Sequence, residues 1–321
     1  MKKILIIRFS SIGDIVLTSP IIRCIKMQKN MQIHYLIKSE YSTLLSSNPY
    51  IDKVFVFKNN LNHVISDLKL ENYDLIIDLH NNIRSWWVKF NLRVSSRTFQ
   101  KNNWKKYLLI YFNWNYIIDH VVDRYFEVLK DLNVVNDNNG LDYFLNKNTS
   151  IDFNINQNFI AWSVGGSSTH KQLSKKQILE VTNQISHPIV LLGGVDEISL
   201  GNNLIKESSH QKIYNFCGNI SLDQSAYLIK NSVLVLSNDT GLMHIAASFQ
   251  KPIISFWGCT KPSLGFSPYM TSNKSVQLIA RPSSRPCSKH GSHCRFKMKG
   301  CIKEINSMTV VAAIENYFNL R

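Results

Sequence analysis

Two turns in this 321-residue chain carry side chains that could do chemistry. The first is Ser237-Asn238-Asp239-Thr240-Gly241-Leu242-Met243-His244. It follows the short apolar run Val233-Leu234-Val235-Leu236, which reads as a buried strand, and it leads into Leu242, Ile245 and Ala246, which share one face at helical spacing. A strand therefore ends and a helix begins at Asn238-Asp239-Thr240-Gly241. Such a junction aims unsatisfied backbone N–H groups and the positive end of a helix dipole at one spot, which favours a phosphate. Thr240 adds a hydroxyl, Gly241 permits close backbone approach, and His244 can donate from the first turn. The competing reading is an ordinary helix cap by Asn238, Asp239 or Thr240. The second turn is Arg8-Phe9-Ser10-Ser11-Ile12-Gly13-Asp14. It places a carboxylate at the head of a helix, where Asp14 could cap that helix or act as a general base on a hydroxyl.

The elements that must position these turns alternate along the chain. Strands are expected at residues 4–7, 33–37, 54–57 and 74–79, with helices between them and a helix after the turn His80-Asn81-Asn82-Ile83-Arg84-Ser85. The first helix is expected to run unbroken from Ile15 to about Gln28, with Pro20 in its early part. Residues 93–118 mix aromatic and basic side chains. They read as a membrane-surface or acceptor-lipid contact, or as a solvated helix covering the first domain. The Asn-heavy stretch 133–158 reads as the domain linker. A second alternating unit begins at residues 159–164, with the turn Gly165-Gly166-Ser167-Ser168-Thr169-His170-Lys171, and a closing helix spans 308–320. The fold class is α/β: two doubly wound, Rossmann-like domains facing a central cleft. The division is 1–150, 151–305, and a C-terminal helix at 306–321. No G-x-G-x-x-G and no G-x-x-x-x-G-K-[ST] occurs, which argues against a nicotinamide enzyme and a P-loop ATPase.

Composition narrows the partner. The chain has 37 Lys and Arg against 22 Asp and Glu, a formal charge of +15, so an anionic partner is indicated unless the basic surface only aids solubility. No stretch has the roughly 18 uninterrupted apolar residues of a membrane span, and the N-terminus is too short in apolar residues for a signal peptide, so a cytoplasmic location is expected. The six cysteines, Cys24, Cys217, Cys259, Cys287, Cys294 and Cys301, read as thiols or a local metal site rather than disulfides. Cys287, Cys294 and Cys301 are evenly spaced with six residues between neighbours, and His290 and His293 lie within the loop. That is not a standard zinc spacing, and a structural loop or a redox-labile pair is the preferred reading.

The runs Ile4 to Pro20 and Ser237 to Ala247 together strongly resemble the ADP-heptose:lipopolysaccharide heptosyltransferases, glycosyltransferase family 9. Asp78-Leu79-His80, Ile83-Arg84-Ser85 and Phe256-Trp257-Gly258-Cys259-Thr260-Lys261-Pro262 fit the same family. The resemblance implies a GT-B fold whose final helix crosses back towards the first domain. It implies an inverting transfer of heptose from an ADP-sugar to a lipopolysaccharide-core acceptor, with Asp14 as the base. It places Lys171, Ser167, Ser168, Thr169, Glu197, Asp239, Thr240, Gly241, Leu242 and His244 at the donor nucleotide, and Ser10, Ser11, Gly13 and Arg84 at the acceptor. Where the family has Lys-Arg-Trp-Pro this chain has Lys171-Gln172-Leu173-Ser174, so only the lysine is kept. No cofactor and no metal is expected. The implied partners are the donor, an anionic acceptor and the inner face of the inner membrane. Residues alone leave open another nucleotide-sugar donor, a non-catalytic sugar-nucleotide or lipid-binding protein, and a nucleic-acid binder with steep salt dependence.

Overall fold

A computed structural model describes residues 2–114, 118–153, 158–281, 285–295 and 301–319 of the chain. The chain divides into two units, residues 1–102 with 119–147, and residues 103–118 with 148–321. The segment 103–118, part of the stretch 93–118 that reads from sequence as a membrane-surface or acceptor-lipid contact or as a helix covering the first domain, groups with the second unit.

In the first unit, β1 (Lys2–Ile7) is followed by α1 (Ile12–Val16), α2 (Ser19–Gln28), β2 (Met31–Lys38), β3 (Lys53–Phe57), α3 (Asn62–Leu70), β4 (Leu75–Asp78), α4 (Ile83–Leu92) and β5 (Ser96–Thr98). After α5 (Asn103–Phe112), which belongs to the second unit, the first unit resumes at α6 (Val121–Phe126). The strands pair in parallel in the order β3-β2-β1-β4-β5. Ile4 to Ile7 are fully buried, as a central strand covered by helices on both faces requires. Each such side chain contributes about 1.5–3 kcal/mol by leaving water.

The helix expected from Ile15 to Gln28 is two helices. The first stops at Val16, where Thr18 Oγ1 donates to the Ile15 carbonyl at 2.7 Å, and the second restarts at Ser19 with Pro20 in its first turn. Proline has no N–H to give and crowds the preceding turn, so the helix begins again around it rather than passing through it.

The second unit contains β6 (Ile160–Ser163), α7 (Lys175–Thr182), β7 (Ile189–Leu192), α8 (Ile198–Glu207), β8 (Ile213–Asn215), α9 (Leu222–Asn231), β9 (Leu234–Asn238), α10 (Gly241–Ser248), β10 (Ile253–Trp257), β11 (Val276–Ile279) and α11 (Ser307–Asn319). Its parallel order is β11-β10-β9-β6-β7-β8. Capping boxes start α7 at Ser174 with Gln177, and α9 at Ser221 with Gln224. The closing helix, expected to reach back to the first domain, buries Val310, Val311, Ile314 and Tyr317 in the second unit's core beside Ile178 and Val181 of α7. Tyr317 also donates to the Val233 carbonyl at 2.8 Å.

Both sheets have a topological switch point. The chain leaves β1 for β2 and β3 on one side, then returns to place β4 on the other side of β1. It likewise leaves β6 for β7 and β8, then places β9 on the other side of β6. Ligands of open α/β sheets bind beyond the carboxyl ends of the strands at such points.

Candidate functional site

At the first switch point Ile7 pairs with Asp78, so the turns after β1 and β4 leave the sheet side by side. Arg8, largely buried, ties them together. Its Nε donates to the Ser10 carbonyl at 2.8 Å, one terminal nitrogen donates to the Leu79 carbonyl at 2.7 Å, and the other lies 2.7 Å from Asp14 Oδ2. Ser11 Oγ donates to the same Asp14 oxygen at 3.1 Å. Burial by itself would raise the Asp14 carboxyl. The Arg8 guanidinium and the Ser11 donors outweigh burial and hold it below the usual carboxylate range. Asp14 is therefore ionised at neutral pH. Tyr35 and Tyr125, both fully buried, face the Arg8–Asp14 pair, and burial keeps both phenols protonated.

On the β4 side, buried Asp78 accepts the backbone N–H groups of His80 and Asn81 at 3.0 and 2.8 Å, and Lys89 Nζ lies 2.8 Å from its other oxygen. Burial, then the charges of Arg8 and Lys101, push the His80 imidazole down to about 4, so it is neutral. Its ring packs against Phe9 with centroids 4.7 Å apart. Ser10, Ser11, Gly13 and Asp14 thus share one turn, with His80 brought beside them. Arg84 stands exposed in the first turn of α4. Arg8 and His80 were read from sequence only as turn residues. Their role depends on contacts some 70 residues away along the chain, which no local pattern displays.

At the second switch point Ser163 pairs with Ser237. The Thr240 hydroxyl lies 3.3 Å from the hydroxyls of both serines, and it makes no capping bond to α10. Asp239 does not cap the helix either. Its Oδ2 lies 2.7 Å from Lys171 Nζ and accepts from Thr260 Oγ1 at 2.8 Å. Buried Asn238 donates to the Val164 and Gly165 carbonyls at 3.0 and 2.9 Å, fixing the β6 turn against the β9 turn. The cap reading is thereby set aside for Asp239 and Thr240.

Gly241 and Leu242 open α10, with His244 buried in its first turn. Ser168 accepts the His170 N–H and starts the 3-10 turn Thr169–Lys171, while Ser167 and Thr169 are exposed. Glu197 closes over the turns from the β7 side. It accepts the Gly194 N–H at 2.8 Å and the Gln172 amide at 3.2 Å, and its carboxylate lies about 3.0 Å from where a Gly165 Cβ would sit. Of the residues predicted from sequence, Lys171, Glu197, Asp239 and Thr240 are thus linked through the turns at this switch point. Thr260 joins them unpredicted.

One group among the described residues has the character of a metal-ligand set: Cys259, Cys287, Cys294 and Cys301, whose sulfurs all lie within 4.8 Å of one another. The spacing argument had grouped three of these with His290 and His293. Neither histidine belongs to the group, and Cys259 arrives from the turn after β10.

The family model for glycosyltransferase family 9 (heptosyltransferase) matches residues 62–296, well over half of the chain. The chain belongs to glycosyltransferase family 9. Lipopolysaccharide heptosyltransferase 1 of Campylobacter coli is 25% identical over 289 residues, which span 80% of this chain and 84% of that protein. The family 9 glycosyl transferase of Veillonella parvula DSM 2008 superposes with a TM-score of 0.81 at 20% identity, covering 100% of this chain and 98% of that one. The E. coli heptosyltransferase WaaC with ADP superposes with a TM-score of 0.73 at 17% identity, covering 98% and 99%. The fold is GT-B, and the family 9 protein is a glycosyltransferase.

Proposed function

We propose that this family 9 enzyme transfers heptose from ADP-heptose to an anionic lipopolysaccharide-core acceptor, with inversion at the anomeric carbon. One observation carries the donor half of the reading. At the start of α10 the N-cap residue Thr240 makes no side-chain capping bond, and beside it stands an ammonium that the Asp239 carboxylate holds at 2.7 Å. Free N–H groups, a helix dipole and a fixed cation form a site for a diphosphate. Support for ADP-heptose comes from the relatives, one described as a lipopolysaccharide heptosyltransferase and one solved with ADP.

In this reading Asp14 takes the proton of the acceptor hydroxyl as its oxygen bonds to the anomeric carbon. The bond from that carbon to the diphosphate breaks, and ADP leaves with the electron pair. A carboxylate held this acidic by Arg8 is a weak base towards a free hydroxyl. It suffices once the attacking oxygen is bonding to an electron-poor carbon and its proton has become acidic. Lys171, the Thr240 hydroxyl and the α10 N–H groups stabilise the charge that grows on the diphosphate. Glu197 is assigned to the donor ribose, and Ser10, Ser11, Gly13 and Arg84 to the acceptor.

No helix among the described residues is long and apolar enough to cross a membrane. We assign the enzyme to the cytoplasmic membrane surface on the exposed aliphatic and aromatic side chains of α4 (Ile83, Trp86, Trp87, Phe90) and α5 (Trp104, Tyr107, Tyr111, Phe112), which are interleaved with Arg84, Lys105 and other cations.

The test is calorimetric titration with ADP, UDP and GDP, followed by a transfer assay with ADP-heptose. Selective ADP binding, weakened in Lys171→Ala and Thr240→Ala, is expected. Preference for UDP or GDP would replace the donor, and binding of none of the three would remove the donor site.

A further inference from the structure

The four-cysteine group has a geometry of its own, independent of the donor chemistry. Cys259 lies in the turn that leaves β10, while Cys287, Cys294 and Cys301 lie in the connection between β11 and α11. The Cys287 and Cys301 sulfurs are 3.3 Å apart, the Cys294 and Cys301 sulfurs 4.0 Å, and all four lie within 4.8 Å of one another. None is in a disulfide, and all but Cys294 are buried. The two strands of chain are pinned by the Cys287 N–H, which donates to the Cys259 carbonyl at 2.8 Å. A tetrahedron of sulfurs each about 2.3 Å from a central ion has edges of roughly 3.8 Å, and the separations of 3.3 and 4.0 Å lie on either side of that value. A disulfide accounts for two converging thiols, and hydrophobic burial accounts for scattered ones. Neither accounts for four at one point.

Charge agrees with a tetrathiolate. Four thiolates around a divalent ion leave a net charge of −2, which a buried site tolerates only beside a cation. Lys261, two residues beyond Cys259 in the same turn, is 1% exposed, with its Nζ on the Ala280 carbonyl at 2.6 Å.

The cysteine loop also bears on the Lys171 side chain. Gly291, between Cys287 and Cys294, has a φ of +69° and lies under the Lys171 stem, so that a Cβ there would meet Lys171 Cε and Cγ at 2.9 Å. Gly258, next to Cys259, is packed so closely that a Cβ would meet Ile302 Cβ at 2.7 Å and the His170 carbonyl oxygen at 3.0 Å. Thr260, on the other side of Cys259, donates to Asp239.

We infer that Cys259, Cys287, Cys294 and Cys301 bind one thiophilic ion, zinc or iron, in a closed four-thiolate centre that holds the cysteine loop against Lys171. Four protein ligands leave no open position, so the ion is structural, and soft sulfur donors in a tetrahedron select zinc or iron. This inference goes beyond the proposed transfer reaction and stands whichever nucleotide the enzyme takes.

The experiment is elemental analysis of the full-length protein purified without chelator, followed by stripping and refilling with Co²⁺. One equivalent of zinc or iron per chain is expected. The cobalt form is expected to show sulfur-to-cobalt charge transfer in the near ultraviolet and intense ligand-field bands of tetrahedral cobalt in the visible. Cys294→Ser, at the least buried ligand, is expected to lose the metal on dialysis, whereas Cys24→Ser, a buried cysteine of the first unit, keeps it. Stripping the metal is expected to weaken binding of whichever nucleotide the protein takes by at least several-fold, reversed on refilling. A metal-free protein that takes up no cobalt, a Cys287–Cys301 disulfide in the mass map, or unchanged metal retention in Cys294→Ser would overturn the site. Full metal loss with unaltered nucleotide affinity would overturn its link to Lys171.

Discussion

Lys171 Nζ and Asp239 Oδ2 lie 2.7 Å apart, with the two side chains only 11% and 14% exposed. The same carboxylate oxygen accepts the Thr260 hydroxyl, so one acid holds donors from the turns after β6 and β10. In the proposed reading, a diphosphate arriving at α10 meets an ammonium already positioned, at the cost of a nearby negative charge. Hydrogen bonds to charged groups contribute about 1.5–3 kcal/mol. Lys171→Ala should therefore weaken ADP binding roughly 10- to 100-fold, and Asp239→Ala should weaken it less, because removing the carboxylate also removes a repulsion. Calorimetry on the two single variants and the double variant should show a coupling above about 0.5 kcal/mol. Strict additivity would mean that the pair does not act as a unit on the nucleotide.

The Arg8–Asp14 pair makes a pH prediction whose sign follows from the lowered Asp14 pKa. The carboxylate form persists as pH falls until the lowered folded-state value is reached and is lost below it, so the acid limb of kcat/KM due to Asp14 should lie below the ordinary carboxylate range. In Arg8→Gln the opposing charge is gone and burial, which raises the pKa, prevails. The acid limb should then move to higher pH. Asp14→Asn should cut kcat by about 10²- to 10⁴-fold and leave ADP affinity within a factor of two, since the substitution lies in the first unit. An Asp14→Asn protein with near-normal turnover would remove the base from the mechanism.

Why these turns were legible, and others not, is a matter of range. The strand–turn–helix at Asp14 and the one at Thr240 are written in contiguous residues, where apolar periodicity changes from strand to helix across a polar turn. The break before Ser19 was also local, but the apolar pattern continues through it, and only the proline's missing N–H marks it. Strand β11 was missed because Val276-Gln277-Leu278-Ile279 is a short, half-exposed edge whose pattern differs little from a loop. Thr260 at Asp239, Arg8 at Leu79 and Cys259 with the three later cysteines are long-range pairings. Spacing along the chain carries no trace of them. The grouping of 103–118 with the second unit is long-range in the same way: Leu109, Ile110 and Ile118 pack on Leu264, far along the chain.

Gly258 offers a stability prediction that reaches the donor site. The atoms a Cβ would strike include the Ile302 backbone nitrogen at 2.9 Å and the His170 carbonyl oxygen at 3.0 Å, neither of which can swing aside as a side-chain end can. Gly258→Ala should cost about 1–3 kcal/mol by overpacking, read as a lower denaturation midpoint at unchanged slope. Because His170 adjoins Lys171, ADP affinity of the folded variant should fall as well. A variant of unchanged midpoint would mean that the two segments separate easily, and that the cysteine loop does not press on the Lys171 turn.

The surface of α4 decides whether the enzyme works at a membrane. Trp86 and Phe90, one helical turn apart, are 55% and 54% exposed, and their rings stack with centroids 5.3 Å apart. Trp87 adds a third ring 5.9 Å from Phe90, and exposed Arg84 lies in the same helix. Exposed aromatics cost solubility unless something covers them, and a lipid interface accepts both the rings and the cation. Co-sedimentation with vesicles should show binding that is stronger on anionic than on zwitterionic lipid and that weakens with salt. Burying a Phe-sized side chain is worth about 1.5–3 kcal/mol. Trp86→Ser with Phe90→Ser should therefore lower the partition at least tenfold while the thermal midpoint holds, because both side chains point to solvent in the folded protein. Equal partition of the double variant and the parent would show that α4 is not the membrane-contacting face, and would leave α5 to carry that contact.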